Sequence, residues 1–180
     1  AQRLAPVQLS YLGYPNTTGL RQMDYRLTDA VCDPESDTTS WHAEKLIRFA
    51  STAWAYEPPS DMPEVGPRLS EDRMRPITFG CFNNFSKVSD ATLRGWAGLL
   101  KQVPNSRLLL KAYGLTAPEF QLAWHERLSS CGIDPKRVDC LDRVTDRVAH
   151  WKLYDRVDVA LDTFPYHGTT TTCEALWMGV

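Results

Sequence analysis

From Ile77 onward, short apolar runs alternate with segments whose apolar positions recur at helical spacing. Ile77-Thr-Phe-Gly-Cys-Phe82, Arg107-Leu-Leu-Leu-Lys-Ala112, Arg137-Val-Asp-Cys-Leu141 and Val157-Asp-Val-Ala-Leu161 read as buried strands. The segment capped by Ser89 and running to Gln102 gathers Leu93, Trp96, Leu99 and Leu100 on one face, as an amphipathic helix does. Ala117 to Ser130 reads as a second helix, closed by Gly132. Thr145 to Tyr154 and Thr170 to Met178 complete the set. Four β–α repeats predict an α/β fold, a parallel sheet covered by helices. Ligands of such sheets sit outside the carboxyl ends of the strands. That directs attention to the loops 83–87, 113–116, 142–145 and 163–169.

The first part of the chain is less regular. Pro6 to Gly13 and Asp24 to Asp29 are short strand candidates. Ser40 to Phe49 reads as a helix, with Ser40 as cap and Glu44 one position late for a capping box. Between the strand candidates, Gly13-Tyr-Pro-Asn-Thr-Thr-Gly19 is either a ligand loop or a plain turn, and the local pattern favours the turn. Five prolines (Pro58, Pro59, Pro63, Pro67 and Pro76) then break all periodicity. The expected organisation is therefore residues 1–56 as one unit, 57–75 as a Pro-rich linker and 76–180 as a second unit.

Composition changes the picture mainly by exclusion. The 180 residues are 43% hydrophobic and 23% charged with a net charge of −2, so nothing electrostatic points to nucleic acid. No apolar run approaches the roughly 20 residues of a membrane span. Cys32, Cys81, Cys131, Cys140 and Cys173 are odd in number and lack Cys-x-x-Cys spacing. Neither zinc nor a disulfide framework is expected, and a reducing, cytoplasmic setting follows by default. His42, His125, His150 and His167 are scattered, so no metal is expected. The start at Ala-Gln-Arg and the end at Met178-Gly-Val180, after a helix with no closing strand, read as cuts through a larger catalytic domain.

The chemically richest stretch runs from Leu161 to Trp177: a strand, a Pro-Tyr-His-Gly turn, and a helix opening on the four threonines Thr169 to Thr172. Hydroxyls suit a helix start, where they can cap orphan N–H groups. A helix N-terminus offers free donors and the positive end of the dipole to an anion. Glu174, a turn further in, is in reach of a sugar hydroxyl. The stretch reads as a cradle for the diphosphate of a nucleotide sugar. An ordinary capped helix after a core strand fits the same letters, and the local sequence does not decide between them. A nicotinamide oxidoreductase has only the β–α alternation in its favour, since no G-x-G-x-x-G follows any strand.

Four motifs in fixed order carry a resemblance. Pro6 to Gly19 with Met23-Asp-Tyr-Arg-Leu-Thr-Asp29, Phe82-Asn-Asn-Phe-Ser-Lys87, Val103-Pro-Asn-Ser-Arg107 and Leu161 to Glu174 resemble the O-GlcNAc transferase/SPINDLY family of protein O-glycosyltransferases, glycosyltransferase family 41. The family fold is GT-B, two Rossmann-like halves. The resemblance implies that residues 1–56 end the first, acceptor-side half and that 76–180 form most of the second, nucleotide-sugar-binding half. Family members carry tetratricopeptide repeats upstream that recognise protein acceptors; none stands in this sequence. The short linker is that of bacterial and plant members.

Residue by residue, the resemblance implies that Lys87 contacts the donor diphosphate and stabilises the leaving nucleotide, with Asn84 beside it. His150 would pack against the donor base. Gly168, Thr169, Thr170 and Thr171 would hold the diphosphate, and Glu174 the ribose. Gly13, Pro15, Thr17 and Thr18 would line the sugar and acceptor side. The expected activity is inverting, metal-independent transfer of GlcNAc from UDP-GlcNAc to Ser/Thr hydroxyls, with no cofactor. Two alternatives stand beside it: SPINDLY-like O-fucosylation from GDP-fucose, and a nucleotide-binding fragment without activity. His167 replaces the Asn or Ala of many relatives, and Thr169 replaces the His of the animal enzymes, which leaves the donor open. The family's catalytic histidines belong upstream, so no general base is expected in this sequence.

Overall fold

Two parallel sheets organise the chain, one in each of two compact units, Ala1–Glu57 and Pro58–Val180. The structure is a computed structural model that describes residues 2–66 and 75–180. Positions 67–74 of the expected Pro-rich linker lie outside the described residues, and residues 58–66 go with the second unit.

In the first unit, β1 (Leu9–Ser10), β2 (Tyr25–Asp29) and β3 (Lys45–Phe49) lie parallel in that order, with Tyr25 between Leu9 and Lys45. A short helix α1 (Glu35–Thr38) and a 3-10 turn (Thr39–Trp41) connect β2 to β3. The helix expected over Ser40 to Phe49 is absent, and β3 stands in its place. Lys45-Leu-Ile-Arg-Phe alternates exposed and half-buried positions with period two. Its β-branched and aromatic residues fit a pleated surface. All five residues pair with β2, from Tyr25 opposite Lys45 to Asp29 opposite Phe49. Ser40 belongs to the 3-10 turn and Glu44 caps nothing: its carboxylate is buried against Thr17 and Thr18.

The second unit carries β4 (Ile77–Cys81), β5 (Ser106–Lys111), β6 (Val138–Leu141) and β7 (Val159–Ala160), all parallel in the order β6-β5-β4-β7. Helices α2 (Asp90–Gln102), α3 (Pro118–Ser130), α4 (Arg147–Lys152) and α5 (Thr170–Trp177) alternate with them. Alternate strand positions feed two cores. Phe79, Cys81, Leu108 and Leu110 pack with Leu93, Trp96 and Leu100 of α2 and Trp124 and Leu128 of α3. Phe82 and Leu109 pack with Trp151, Tyr154, Val157 and Ala175 on the other side. Each such leucine contributes roughly 1.5–3 kcal/mol by leaving water.

Local signals set the helix ends. Ser89 accepts from the Thr92 N–H at 3.1 Å and caps α2 as expected. Helix α3 starts on Pro118, which suits a first helical position because its missing N–H would have no partner there. Helix α4 begins at Arg147 rather than at Thr145, because Asp146 accepts from the Ala149 N–H at 2.6 Å. Of the apolar run 157–161, only Val159 and Ala160 form strand. Val157 packs so closely against β4 that a Cβ on Gly80 would lie 2.5 Å from its Cγ2, so only glycine fits there.

Candidate functional site

The carboxyl ends of β4 and β7 meet through a polar joint. The Asp162 Oδ1 atom accepts from Asn83 Nδ2 at 2.8 Å and from the Thr163 and Gly168 N–H groups at 2.7 Å each. Buried Asn83 also donates to Thr163 Oγ1 at 3.1 Å, and that hydroxyl donates to the Tyr166 carbonyl at 2.7 Å. The next residue, Phe164, precedes a cis proline, Pro165. Its backbone N–H donates to Thr92 Oγ1 at 2.9 Å, and its carbonyl accepts from Ser89 Oγ at 2.6 Å. The loop from 162 to 168 is thereby fastened to β4 and to the start of α2. Gly168 closes it with no room for a side chain: a Cβ would sit 2.6 Å from Asn83 Oδ1 and 2.7 Å from Thr172 Oγ1.

Lys87 stands across this loop. It ends a one-turn 3-10 helix, Phe85–Lys87, capped by Asn84, whose Oδ1 accepts from the Ser86 N–H at 3.0 Å. Phe85 anchors the turn edge-on against Trp124, with ring centroids 4.7 Å apart. The Lys87 ammonium donates to the His167 carbonyl at 2.8 Å and lies 4.0 Å from the Tyr166 ring centroid. An ammonium has three donors, so two remain for a ligand.

Helix α5 starts immediately after. Its first backbone bond runs from Cys173 N–H to the Thr169 carbonyl at 3.0 Å. The Thr169 hydroxyl makes no capping bond, contrary to the role expected of the threonine run. Among the described residues, the backbone N–H groups of Thr170 and Thr171 have no acceptor. Helix geometry puts Thr170, Thr171 and Glu174 on one face.

Glu174 is already engaged. It accepts from Trp151 Nε1 at 3.2 Å and Tyr154 OH at 3.4 Å, and His150 Nε2 lies 3.3 Å away. Burial acts to raise its pKa, but the bonds from His150 and Trp151 outweigh it, and the carboxyl titrates below its ordinary value. Phe82 lies beneath, with ring centroids 6.2 Å from His150 and 4.8 Å from Tyr154. The His150 Nδ1 atom is buried without a hydrogen-bond partner. A cavity of about 60 Å³ lined by Phe82, Asn83, Asp162 and Thr171 runs under α5. It holds a water or two and no more, so a nucleotide would lie over this surface rather than inside it.

One residue of this edge escaped the sequence reading. Lys111 ends β5 beside Phe82, is only 8% exposed, and holds its ammonium 5.4 Å from the Phe82 ring centroid. The available signal was a cation directly after the three leucines of a strand. The neighbouring loops are tied by Asp142, whose carboxylate accepts from the Gly114 N–H and the Thr116 hydroxyl at 3.0 Å each.

Gly13, Pro15, Thr17 and Thr18 lie in the first unit. Glu44 organises their loop: it accepts from Thr17 Oγ1 and the Thr18 N–H at 2.7 Å each, and from the Thr18 hydroxyl. Arg26 Nη1 donates to the Tyr14 and Asn16 carbonyls at 2.7 and 3.2 Å. Gly13 N–H donates to the Tyr11 carbonyl at 2.7 Å. Pro15 lines a shallow recess with Tyr11, Arg26 and Trp54. The threonine hydroxyls expected to face a ligand donate inward to Glu44. Burial favours protonation of Glu44, yet the Thr18 and Thr17 bonds prevail and bring its pKa to about 2.

Among the described residues no group of three or more His, Cys, Asp or Glu is arranged to hold a metal ion, and no helix is long and apolar enough to cross a membrane. The five cysteines are free.

Comparison with known proteins places the chain in a family. The sequence profile described as Glycosyl transferase family 41 matches residues 1–58 and 68–180. The chain is 43% identical over 182 residues to a protein of Oryza sativa subsp. japonica named probable UDP-N-acetylglucosamine–peptide N-acetylglucosaminyltransferase SPINDLY. It is 42% identical to the Arabidopsis thaliana protein of the same name. All of this chain is covered in both cases, but only 19% and 20% of those relatives' lengths. A solved structure, the K341M mutant of the Thermobaculum terrenum O-GlcNAc transferase, superposes with a TM-score of 0.86 at 38% identity, covering 98% of this chain and 32% of that one. The α/β GT-B class expected from the sequence is the class of this fold.

Proposed function

This chain belongs to glycosyl transferase family 41, and from that premise we propose that it carries the donor site of a protein O-glycosyltransferase. The observation that bears most weight is the Lys87 ammonium, held at the His167 carbonyl beside the unmatched N–H groups of Thr170 and Thr171. A fixed cation and a helix N-terminus at one edge make a site for a diphosphate.

In the proposed reaction, a Ser or Thr hydroxyl oxygen of a protein acceptor attacks the anomeric carbon of the sugar. The bond from that carbon to the diphosphate oxygen breaks, and the electron pair leaves with the nucleotide. A single displacement inverts the anomeric centre. Negative charge grows on the departing diphosphate, where Lys87 and the α5 N–H groups would stabilise it more in the transition state than in the ground state. These groups supply the positive field that a metal provides elsewhere. Gly168 lets the backbone approach closely, and Asn84 shapes the turn that presents Lys87. Glu174, held by His150, Trp151 and Tyr154, would meet the ribose, with the His150 ring against the base. The hydroxyl proton goes to a base outside this sequence. The loop at Gly13, Pro15, Thr17 and Thr18 would take the sugar and acceptor side.

UDP-GlcNAc is the leading donor, in line with the names of the relatives. GDP-fucose is the second reading, favoured by Thr169 and the Asn-Thr-Thr-Gly loop, which follow the SPINDLY pattern. Acceptor proteins would be chosen by tetratricopeptide repeats outside this sequence. The test is the product mass after the full-length protein is incubated with a protein substrate and each donor in parallel. A GlcNAc adduct supports the leading reading, a deoxyhexose adduct the second, and no adduct from either donor rejects both.

A further inference from the structure

We propose that Lys111 is a nucleoside contact of the donor site, with its ammonium donating to an oxygen of the base or ribose. The inference rests on the proposed donor-site reading and adds to it a residue outside the family motifs. Burying an ammonium without an acceptor is costly, so the expected fate of such a lysine is pairing or exposure. Lys111 is not paired and keeps little exposure: it is 8% exposed, and among the described residues its ammonium has no hydrogen-bond acceptor or ion-pair partner. The ammonium is not one of the fully enclosed unmatched atoms, so the stem is buried and the unpaired charge opens at the surface of this edge.

Its position explains the exception. Lys111 is the last residue of β5, at the carboxyl end of the sheet where ligands of this fold class lie. It shares the Phe82 ring with His150 and Tyr154, and of the nearby charges Glu174 attracts it while Arg143 repels it. A second unmet polar atom, the buried His150 Nδ1, belongs to the same patch. Lys87 by contrast sits at the His167 carbonyl, on the loop that leads into α5. The two lysines thus mark two ends of one ligand: diphosphate at Lys87, nucleoside at Lys111. Base carbonyl oxygens and ribose oxygens are acceptors that an ammonium donor satisfies.

The test compares wild-type, Lys111→Met and Lys87→Ala forms of the full-length protein, titrated with UDP, UMP, GDP and GMP and assayed with donor. Lys111→Met is expected to weaken the nucleoside mono- and diphosphates by the same factor, at least tenfold, and to raise donor KM with kcat little changed. Lys87→Ala is expected to lose mainly the diphosphates and to lower kcat. The melting temperature of Lys111→Met is expected to hold or rise, because methionine keeps the buried stem and removes a charge that burial disfavours. Unchanged nucleotide affinity in a folded Lys111→Met overturns the proposal, as does a loss confined to the diphosphates. If that variant does not fold, Lys111→Gln is judged by the same two criteria. Wild-type protein that binds neither UDP nor GDP rejects the underlying donor-site reading instead.

Discussion

The ammonium of Lys87 lies 2.8 Å from the backbone carbonyl of His167, eighty residues further along the chain. The cation is aimed by main chain, not by an opposing carboxylate, so its charge is not neutralised at that contact. Removing it should therefore cost function rather than fold. Lys87→Ala in the full-length protein is expected to lower kcat by about 10²–10³, the usual loss for one donor to a developing charge. The melting temperature should stay within about 2 °C of wild type, because Phe85 and not Lys87 anchors the turn. Normal turnover in this variant would remove Lys87 from the mechanism.

Gly168 and Gly95 make a paired test of where space matters. A Cβ at Gly168 would meet Asn83 Oδ1 at 2.6 Å and Thr172 Oγ1 at 2.7 Å, whereas nothing lies within 4 Å of one at Gly95 in α2. Gly168→Ala is expected to destabilise by about 1–3 kcal/mol through overpacking and to weaken nucleotide binding. Gly95→Ala should stabilise by about 0.5–1 kcal/mol, the helix-propensity difference, and leave binding unchanged. Chemical denaturation of both variants decides; equal effects would mean that the Asn83–Asp162 joint yields easily.

Glu44 should matter for the first unit alone. Gln at this position keeps one acceptor oxygen and adds donors that face the Thr17 and Thr18 groups. Glu44→Gln is expected to cost about 1–3 kcal/mol, the penalty for buried donors left unmet. The pH dependence has a definite sign. The folded pKa of about 2 lies below the ordinary 4.5, so the ionised group stabilises the fold above pH 4.5. That contribution falls away as pH drops from 4.5 toward 2. Wild-type stability should therefore decline over this window more steeply than that of Glu44→Gln, which urea titrations at several pH values would reveal.

The same sign applies to Glu174. Glu174→Ala strips the acceptor from Trp151 Nε1, while Tyr154 OH keeps the Thr171 carbonyl at 3.2 Å, and should destabilise by about 1–3 kcal/mol. Glu174→Gln retains a carbonyl acceptor and should cost less. If the alanine variant is as stable as wild type, water replaces these bonds and the carboxylate is not structural.

The 180-residue chain by itself is expected to bind nucleotide without transferring sugar. It spans 19% of the rice relative's length, and no base for the acceptor proton is assigned within it. Peptide glycosylation by the purified chain, read by mass spectrometry, would contradict this.

By itself the sequence determined the β–α alternation from Ile77 to Trp177, the Ser89 cap and the motifs at Lys87 and Thr169 to Glu174. These are local properties: helical and strand periodicity, capping and turn chemistry all act within a few residues. The reading failed where the local pattern is ambiguous. Lys45 to Phe49 is too short for periodicity to separate helix from strand, and pairing with β2, some twenty residues earlier, made it a strand. Tertiary structure also decided what each polar group faces. Because β4 lies between β5 and β7, Asn83 reaches Asp162, Lys87 reaches His167, and Lys111 comes to rest beside Phe82. Thr17 and Thr18 turned inward because Glu44, at the entry to β3, supplies a buried carboxylate. Sheet order sets these meetings, and sheet order is fixed by hydrogen bonds between segments far apart in the chain, which no window along the sequence contains.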